Sequence, residues 1–295
     1  MELKRLGRKT YYVTGAFHVG VYVIREDDMK SVCLIDTGVD EETATEIDEL
    51  LIKNNMQVTY IINTHFHADH VGGNSYFKEK YDCMVVSDQM NAALISNYDI
   101  CPSIVWGAVP ISELLNNYYY ARSCECRNYK EVRLPRGITV GQLPGHCITM
   151  LYVKTDDDVM FVGDAVIDGR TLESHPVSYI YDIKKYLGSL DKLLTLPAKI
   201  YVPYHSDEVE DISGLVKVNR ENVLENLDII RKICEAPHTL DEIYEEFSNI
   251  RGLRPSLYRY VVEGGIIRTY MTYLYNKGEL SVNAENNHIT WCMAK

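Results

Sequence analysis

Residues His65-Phe66-His67-Ala68-Asp69-His70 bring three imidazoles and a carboxylate into six positions, directly behind the apolar run Val58–Ile62. The pairing calls for a rigid strand ending in a polar turn. Alternate side chains of an extended segment share a face, so His65 and His67 can converge on one point. Asp69 and His70, on the turn beyond, can face a second. Imidazole and carboxylate donors suit zinc, iron or manganese, and the spacing points to two ions. A loop whose histidines merely hydrogen-bond has no need of four such groups together.

Three further candidates stand at the ends of strand-like apolar runs. Ile138–Gly145 leads into His146, Val159–Gly163 into Asp164, and Lys199–Tyr204 into His205. A scaffold that delivers side chains from strand tips is a common way to build a site on loops. Taken singly, His146 or His205 reads as an ordinary loop histidine, but behind the 65–70 cluster each becomes a candidate ligand.

Thr64-His-Phe-His-Ala-Asp-His-Val-Gly-Gly73, Gly145-His146, Gly163-Asp164 and His205 follow in that order, and Asp36-Thr37-Gly38 follows the apolar Val32–Ile35. This set resembles the metallo-β-lactamase-fold superfamily over about residues 8–210. The resemblance implies an α/β fold, a four-layer αββα sandwich, with the 36–38 loop supporting the site from beneath. It also implies a first metal on His65, His67 and His146, a second on Asp69, His70 and His205, and Asp164 bridging them. Two divalent ions, zinc first with manganese or iron as alternatives, would activate a bridging hydroxide. That makes the chain a metal-dependent hydrolase of a small-molecule ester, thioester or lactone. Asp69 and Asp164 would then be the catalytic carboxylates, and no covalent intermediate is expected. The core is glyoxalase II-like, yet Cys147-Ile-Thr-Met150 stands where many relatives continue Thr/Ser-Pro-Gly. Three rivals stay open: a phosphodiesterase or ribonuclease, a mononuclear iron enzyme of the persulfide dioxygenase type, and a non-enzymatic metal-binding module. Hydrolysis of β-lactams is not expected.

The 295 residues suit one large domain and a small one, divided here as 1–212 and 213–295. No signal peptide or membrane-length apolar run is visible, so the expected location is cytoplasmic, away from membranes. A formal charge of −12 argues against a broad nucleic-acid footprint. Eight cysteines in a chain of this length do not make a disulfide scaffold. Cys33 and Cys83 read as buried small hydrophobes. Cys124 and Cys126 form a C-x-C pair without a second pair nearby, and Cys147 adjoins a predicted ligand; packing is the expected role of all three.

Strands are expected at Val19–Arg25, Val32–Ile35, Val58–Asn63, Met84–Ser87 and Lys199–Val202, with a hairpin of Leu151–Lys154 and Val159–Val162 around a solvated Asp156-Asp157-Asp158 turn. Helices are expected at Asp40–Asn54, Asn74–Tyr81, Asp88–Asn97 and Ile183–Leu196. Between about Ile95 and Arg136 the periodicity loosens. The chain holds 23 Tyr against 2 Trp and 5 Phe, and a tyrosine's apolar body and polar tip suit a pocket wall. Tyr118, Tyr119 and Tyr120 are the lining candidates, and Tyr204, beside His205, is a candidate oxyanion donor.

Beyond His205, helices at Asn219–Glu235, Leu240–Phe247 and Leu257–Leu274, then a hairpin of Leu280–Val282 and Ile289–Cys292, resemble a small winged-helix module. Gly264-Gly265 is a weak point in the third helix. Residues 236–295 carry 6 Lys/Arg against 7 Asp/Glu, a net of −1, too few cations for phosphate-driven binding. The module is expected to pack or dimerise at the edge of the site, with a small-molecule substrate as the partner and a homodimer as the assembly.

Overall fold

The computed structural model describes residues 1–294. Its larger sheet places β1 (Glu2–Arg5), β2 (Thr10–Thr14), β3 (Val19–Arg25), β4 (Lys30–Ile35), β5 (Met56–Ile62), β6 (Met84–Ser87) and β7 (Arg127–Asn128) side by side in chain order. The smaller holds β8 (Ile138–Gln142), β9 (Leu151–Thr155), β10 (Val159–Gly163) and β11 (Ile200–Pro203), in spatial order β11-β10-β9-β8.

Strand periodicity builds the layers. Along β4, Val32 and Leu34 face one core while Cys33 and Ile35 face another. Along β10, Val159 and Phe161 meet Cys33 and Ile35 between the sheets, while Met160 and Val162 point outward to helices. That alternation requires two sheets face to face, each covered outside.

Helix α1 (Glu41–Lys53) covers the larger sheet, with α2 (Ala68–Val71), α3 (Asn74–Tyr81), α4 (Gln89–Ser96) and α5 (Cys101–Trp106) further along the chain. Asp40 starts α1 by accepting from Thr43 N at 2.8 Å, with Glu41 and Glu42 in the first turn and Lys53 in the last. Each suits the helix dipole. Ala44, Ile47 and Leu51 form its buried stripe. Buried Asp48 on the same helix is met by Lys80 at 2.5 Å and Tyr81 at 2.7 Å, which ties α1 to α3.

Over the smaller sheet lie α6 (Gly169–Ser174), α7 (Ile183–Leu193), α8 (Ser213–Ile233), α9 (Leu240–Arg251) and α10 (Leu257–Asn276), then the hairpin β12 (Leu280–Glu285) and β13 (His288–Met293). Leu190 of α7, Ile230 of α8, Phe247 of α9 and Tyr270 of α10 share one core with Met160 and Val162. The C-terminal elements therefore complete the fourth layer of an αββα sandwich. Among the described residues no helix is long and apolar enough to cross a membrane.

Two expectations need correction. Helix α8 starts at Ser213, six residues before Asn219, because Val216 continues its buried stripe and Asp211 accepts from Ser213 N. The Asp156–Asp158 turn is more than solvated. Asp157 accepts from Lys9 N at 2.7 Å and Thr10 Oγ1 at 2.8 Å, and Asp156 from Tyr22 OH at 2.8 Å, so the turn clasps the larger sheet.

Candidate metal centre

The parallel pairs β4–β5 and β10–β11 end at one edge of the sandwich, where strand ends of one polarity commonly frame a site. Asp36 follows β4, Thr64–His70 follow β5, Asp164 follows β10, and Tyr204 and His205 follow β11. His146 arrives on the loop between β8 and β9. All seven predicted side chains meet there in two groups. The first is His65, His67, His146 and Asp164; the second is Asp69, His70 and His205.

His67 Nδ1 stands 2.9 Å from His65 Nε2 and 3.0 Å from His146 Nε2. Hydrogen bonds alone explain this poorly, since a neutral ring offers one proton and one lone pair. Three nitrogens about one cation explain it well: bonds of ~2.0–2.1 Å at right to tetrahedral angles leave ligand atoms about 2.9–3.4 Å apart. Asp164 reaches both groups, with Oδ1 3.2 Å from His70 Nε2 and Oδ2 3.4 Å from both His146 Nε2 and His205 Nε2. Buried His70 Nε2 and Asp164 Oδ1 make no hydrogen bond of acceptable geometry, an arrangement that costs energy until a ligand fills it. Asp69 Oδ2 lies 3.3 Å from His205 Nε2. This donor set fits a pair of divalent ions.

Behind the ligands, Asp36 accepts from Thr64 N and Thr64 Oγ1 at 2.8 and 2.7 Å and pairs with His70 Nδ1 at 2.8 Å. Thr64 Oγ1 also lies 3.1 Å from His65 Nδ1. Holding Nδ1 of both rings from behind leaves each Nε2 facing the site.

Burial, with the neighbouring imidazoles, pushes His65 well below the ordinary histidine range, and burial lowers His67 to about 3 and also lowers His146. These rings stay neutral and ready to ligate. Burial opposes the charge on His70 and His205 as well, but the carboxylates prevail. Asp164, Asp36 and Asp69 raise His70 well above its usual value, and Asp164 and Asp69 raise His205 to about 10. Against its own burial, Asp69 falls to about 2 through His70 and His205, and Asp164 is also held low.

Asp69, His67, His146 and Asp164 floor a cavity of about 510 Å³. Phe66, Tyr98, Ile104, Val105 and Tyr179 form one part of its wall, and Val261, Val262, Gly265 and Ile266 of α10 another. Of the tyrosine candidates, Tyr118 and Tyr119 line the cavity. Tyr120 does not: its hydroxyl donates to Asp99 and its ring packs edge-on against Tyr98. Tyr204 is not an oxyanion donor, since its ring stacks on His70 at 3.7 Å and its hydroxyl donates to the Asp69 carbonyl at 2.5 Å. Cys147 Sγ, buried, donates to Thr149 O, and Cys124 and Cys126 are free and buried in the outer core of the larger sheet. Sequence reasoning missed Phe66 and Tyr179, and though it set the C-terminal module at the edge of the site it named no α10 residue as part of the wall. Only the glycine pair 264–265, unusual inside an apolar helix, signalled a packing or functional reason.

Similarity to known proteins agrees with this geometry. A Drosophila melanogaster protein named beta-lactamase-like protein 2 homolog is 25% identical over 214 residues, 70% of this chain and 65% of its own length. A hydroxyacylglutathione hydrolase of Nitrobacter hamburgensis is 30% identical over 166 residues, 54% of this chain and 52% of its own length. The chain thus spans about half to two thirds of the length of these relatives. In fold it is similar to the crystal structure of a beta-lactamase domain protein from Burkholderia ambifaria, with a TM-score of 0.75 at 15% identity, covering 99% of this chain and 94% of that one. A family model, that of the Metallo-beta-lactamase superfamily, matches residues 14–205, about two thirds of the sequence, and the chain belongs to that superfamily.

Proposed function

We propose that the protein is a dinuclear metal-dependent hydrolase of a small-molecule ester, thioester or lactone. The observation that carries this reading is the placement of Asp164 between two complete donor groups at the floor of an apolar cavity. His65, His67 and His146 would hold one ion, Asp69, His70 and His205 the other, and Asp164 would reach both. Nitrogen and oxygen donors of this kind favour zinc, with manganese or iron as substitutes. When bound, such a pair supplies Lewis acidity toward a carbonyl and a hydroxide at neutral pH.

The chain's own groups do the rest. Asp36 and Thr64 fix the orientation of His70 and His65. Asp69, partly exposed at the cavity floor, can orient the attacking water. Phe66 and Tyr179 flank His67, with ring centroids 4.9 Å away in each case, and exclude bulk water from that side. Water adds across the acyl–oxygen or acyl–sulfur bond and leaves a carboxylic acid with an alcohol or thiol.

The relatives named hydroxyacylglutathione hydrolase support hydrolysis. The apolar wall suits an apolar acyl or aryl group better than a charged tripeptide, and the net charge of −12 weighs against RNA.

The test is steady-state hydrolysis by zinc-loaded protein of an aryl ester, an acyl thioester, a lactone and bis(4-nitrophenyl) phosphate. The expected result is turnover of at least one acyl substrate, lost with a chelator and reduced about 100-fold or more in Asp69→Asn. Cleavage of the phosphodiester alone would replace this reading with phosphodiesterase.

A further inference from the structure

The cavity wall holds one charge that the proposed chemistry does not use. Among the described lining residues, Arg268 of α10 is the only cation; the carboxylates Asp69 and Asp164 lie at the floor. In an acidic protein, arginines commonly find carboxylates, and two others of the C-terminal helices have done so. Arg251 pairs with Glu225 at 3.0 Å, and Arg259 reaches Glu263 at 3.7 Å. Arg268, exposed, makes no hydrogen bond or ion pair with any described residue. The same wall is largely apolar, with Ile104 and Val105 of α5 and Val262 and Ile266 of α10 among its residues.

From this juxtaposition we infer that the substrate is a monoanionic molecule with an apolar body, whose reacting acyl group lies at the floor while Arg268 binds a carboxylate, sulfonate or phosphate at its far end. A guanidinium presents a planar fork of donors that matches such oxyanions. One cation in an apolar wall accepts one anionic group, and a second group buried against the apolar residues would stay unpaired. The inference rests on the hydrolase reading for the position of the acyl group, but recognition of the anion can be measured without turnover.

The experiment uses two matched probe pairs on zinc-loaded wild-type protein, Arg268→Gln and Arg268→Lys. For binding, fluorescence titration compares 8-anilinonaphthalene-1-sulfonate with N-phenyl-1-naphthylamine, which lacks only the sulfonate. For turnover, mono-4-nitrophenyl adipate is compared with 4-nitrophenyl hexanoate, which has a methyl in place of the terminal carboxylate. In Arg268→Gln, sulfonate affinity and kcat/KM for the adipate ester are expected to fall about tenfold, mainly through KM. The neutral partners are expected to stay within about twofold, and Arg268→Lys to recover part of the loss. Equal effects on charged and neutral probes, or none, would overturn the inference. Selective loss of the sulfonate, with no turnover of these esters or of the aryl ester, thioester and lactone above, would keep anion recognition and remove the hydrolase reading instead.

Discussion

The Asp36 carboxylate takes three donors, Thr64 N, Thr64 Oγ1 and the Nδ1 side of His70, from a backbone at φ +63° that few side chains tolerate. Asn also adopts that conformation, so Asp36→Asn should fold. Its single acceptor oxygen cannot serve all three donors, and His70 loses its fixed orientation. Affinity for the second ion is expected to drop about 10- to 100-fold while the first changes little, as read by competition with a metal chelator; unchanged affinity would count against the Asp36–His70 pair. Protons give a second prediction at this scale. In the metal-free protein the neighbouring carboxylates raise His70 above its ordinary value and hold His205 at about 10, so His205 is protonated at pH 8. Filling the second group must displace that proton, whereas the lowered His65, His67 and His146 have none to give. Calorimetry in buffers of different ionisation enthalpy should therefore show proton release with the second ion, and its affinity rising with pH toward 10. No release, or release with the first ion, would contradict this.

Helix α10 links fold to specificity, and its interior glycine offers a direct handle. A Cβ at Gly265 meets nothing within 4 Å, and Gly265 lines the cavity. Gly265→Leu should hold or raise the thermal midpoint, since replacing glycine in a helix gains up to about 1 kcal/mol. It should also lower kcat/KM for long acyl substrates about tenfold or more by filling their space. A lower midpoint with unchanged kinetics would place α10 outside the binding wall. On α9, Thr239 and Glu242 form a reciprocal capping box; Thr239→Ala is expected to cost about 1 kcal/mol in denaturant unfolding with kinetics unaffected. Elements with a clean stripe and a polar cap were legible in the sequence: α1 behind Asp40 and α7 behind Asp182 start within a residue of where their spacing put them. The edge strand β1 was not, because Glu2, Lys4 and Arg5 are all exposed and leave no alternation to read. Two-residue β7 is too short to carry a pattern.

For the molecule as a whole, the site joins two sheets, and this explains what the sequence could and could not disclose. His65, His146, Asp164 and His205 each follow an apolar run, so strand tips announced the floor. Much of the wall comes from α5 and α10, about 160 residues apart in the chain, and only packing brings them together. Arg268 had no local signal for the same reason. The sheets are also clasped at the Asp156–Asp158 turn. Asp157→Ala removes the acceptor of Lys9 N and Thr10 Oγ1 and is expected to cost about 1–3 kcal/mol of unfolding free energy, with metal content unchanged. The central claim is that one carboxylate, Asp164, makes two donor groups into one centre. The most direct test is metal content per chain by mass spectrometry, for wild-type protein purified without added metal and for Asp164→Ala. About two divalent ions in the wild type, falling to one or fewer in Asp164→Ala, is the predicted result. A single iron that survives both Asp164→Ala and His205→Ala would contradict it.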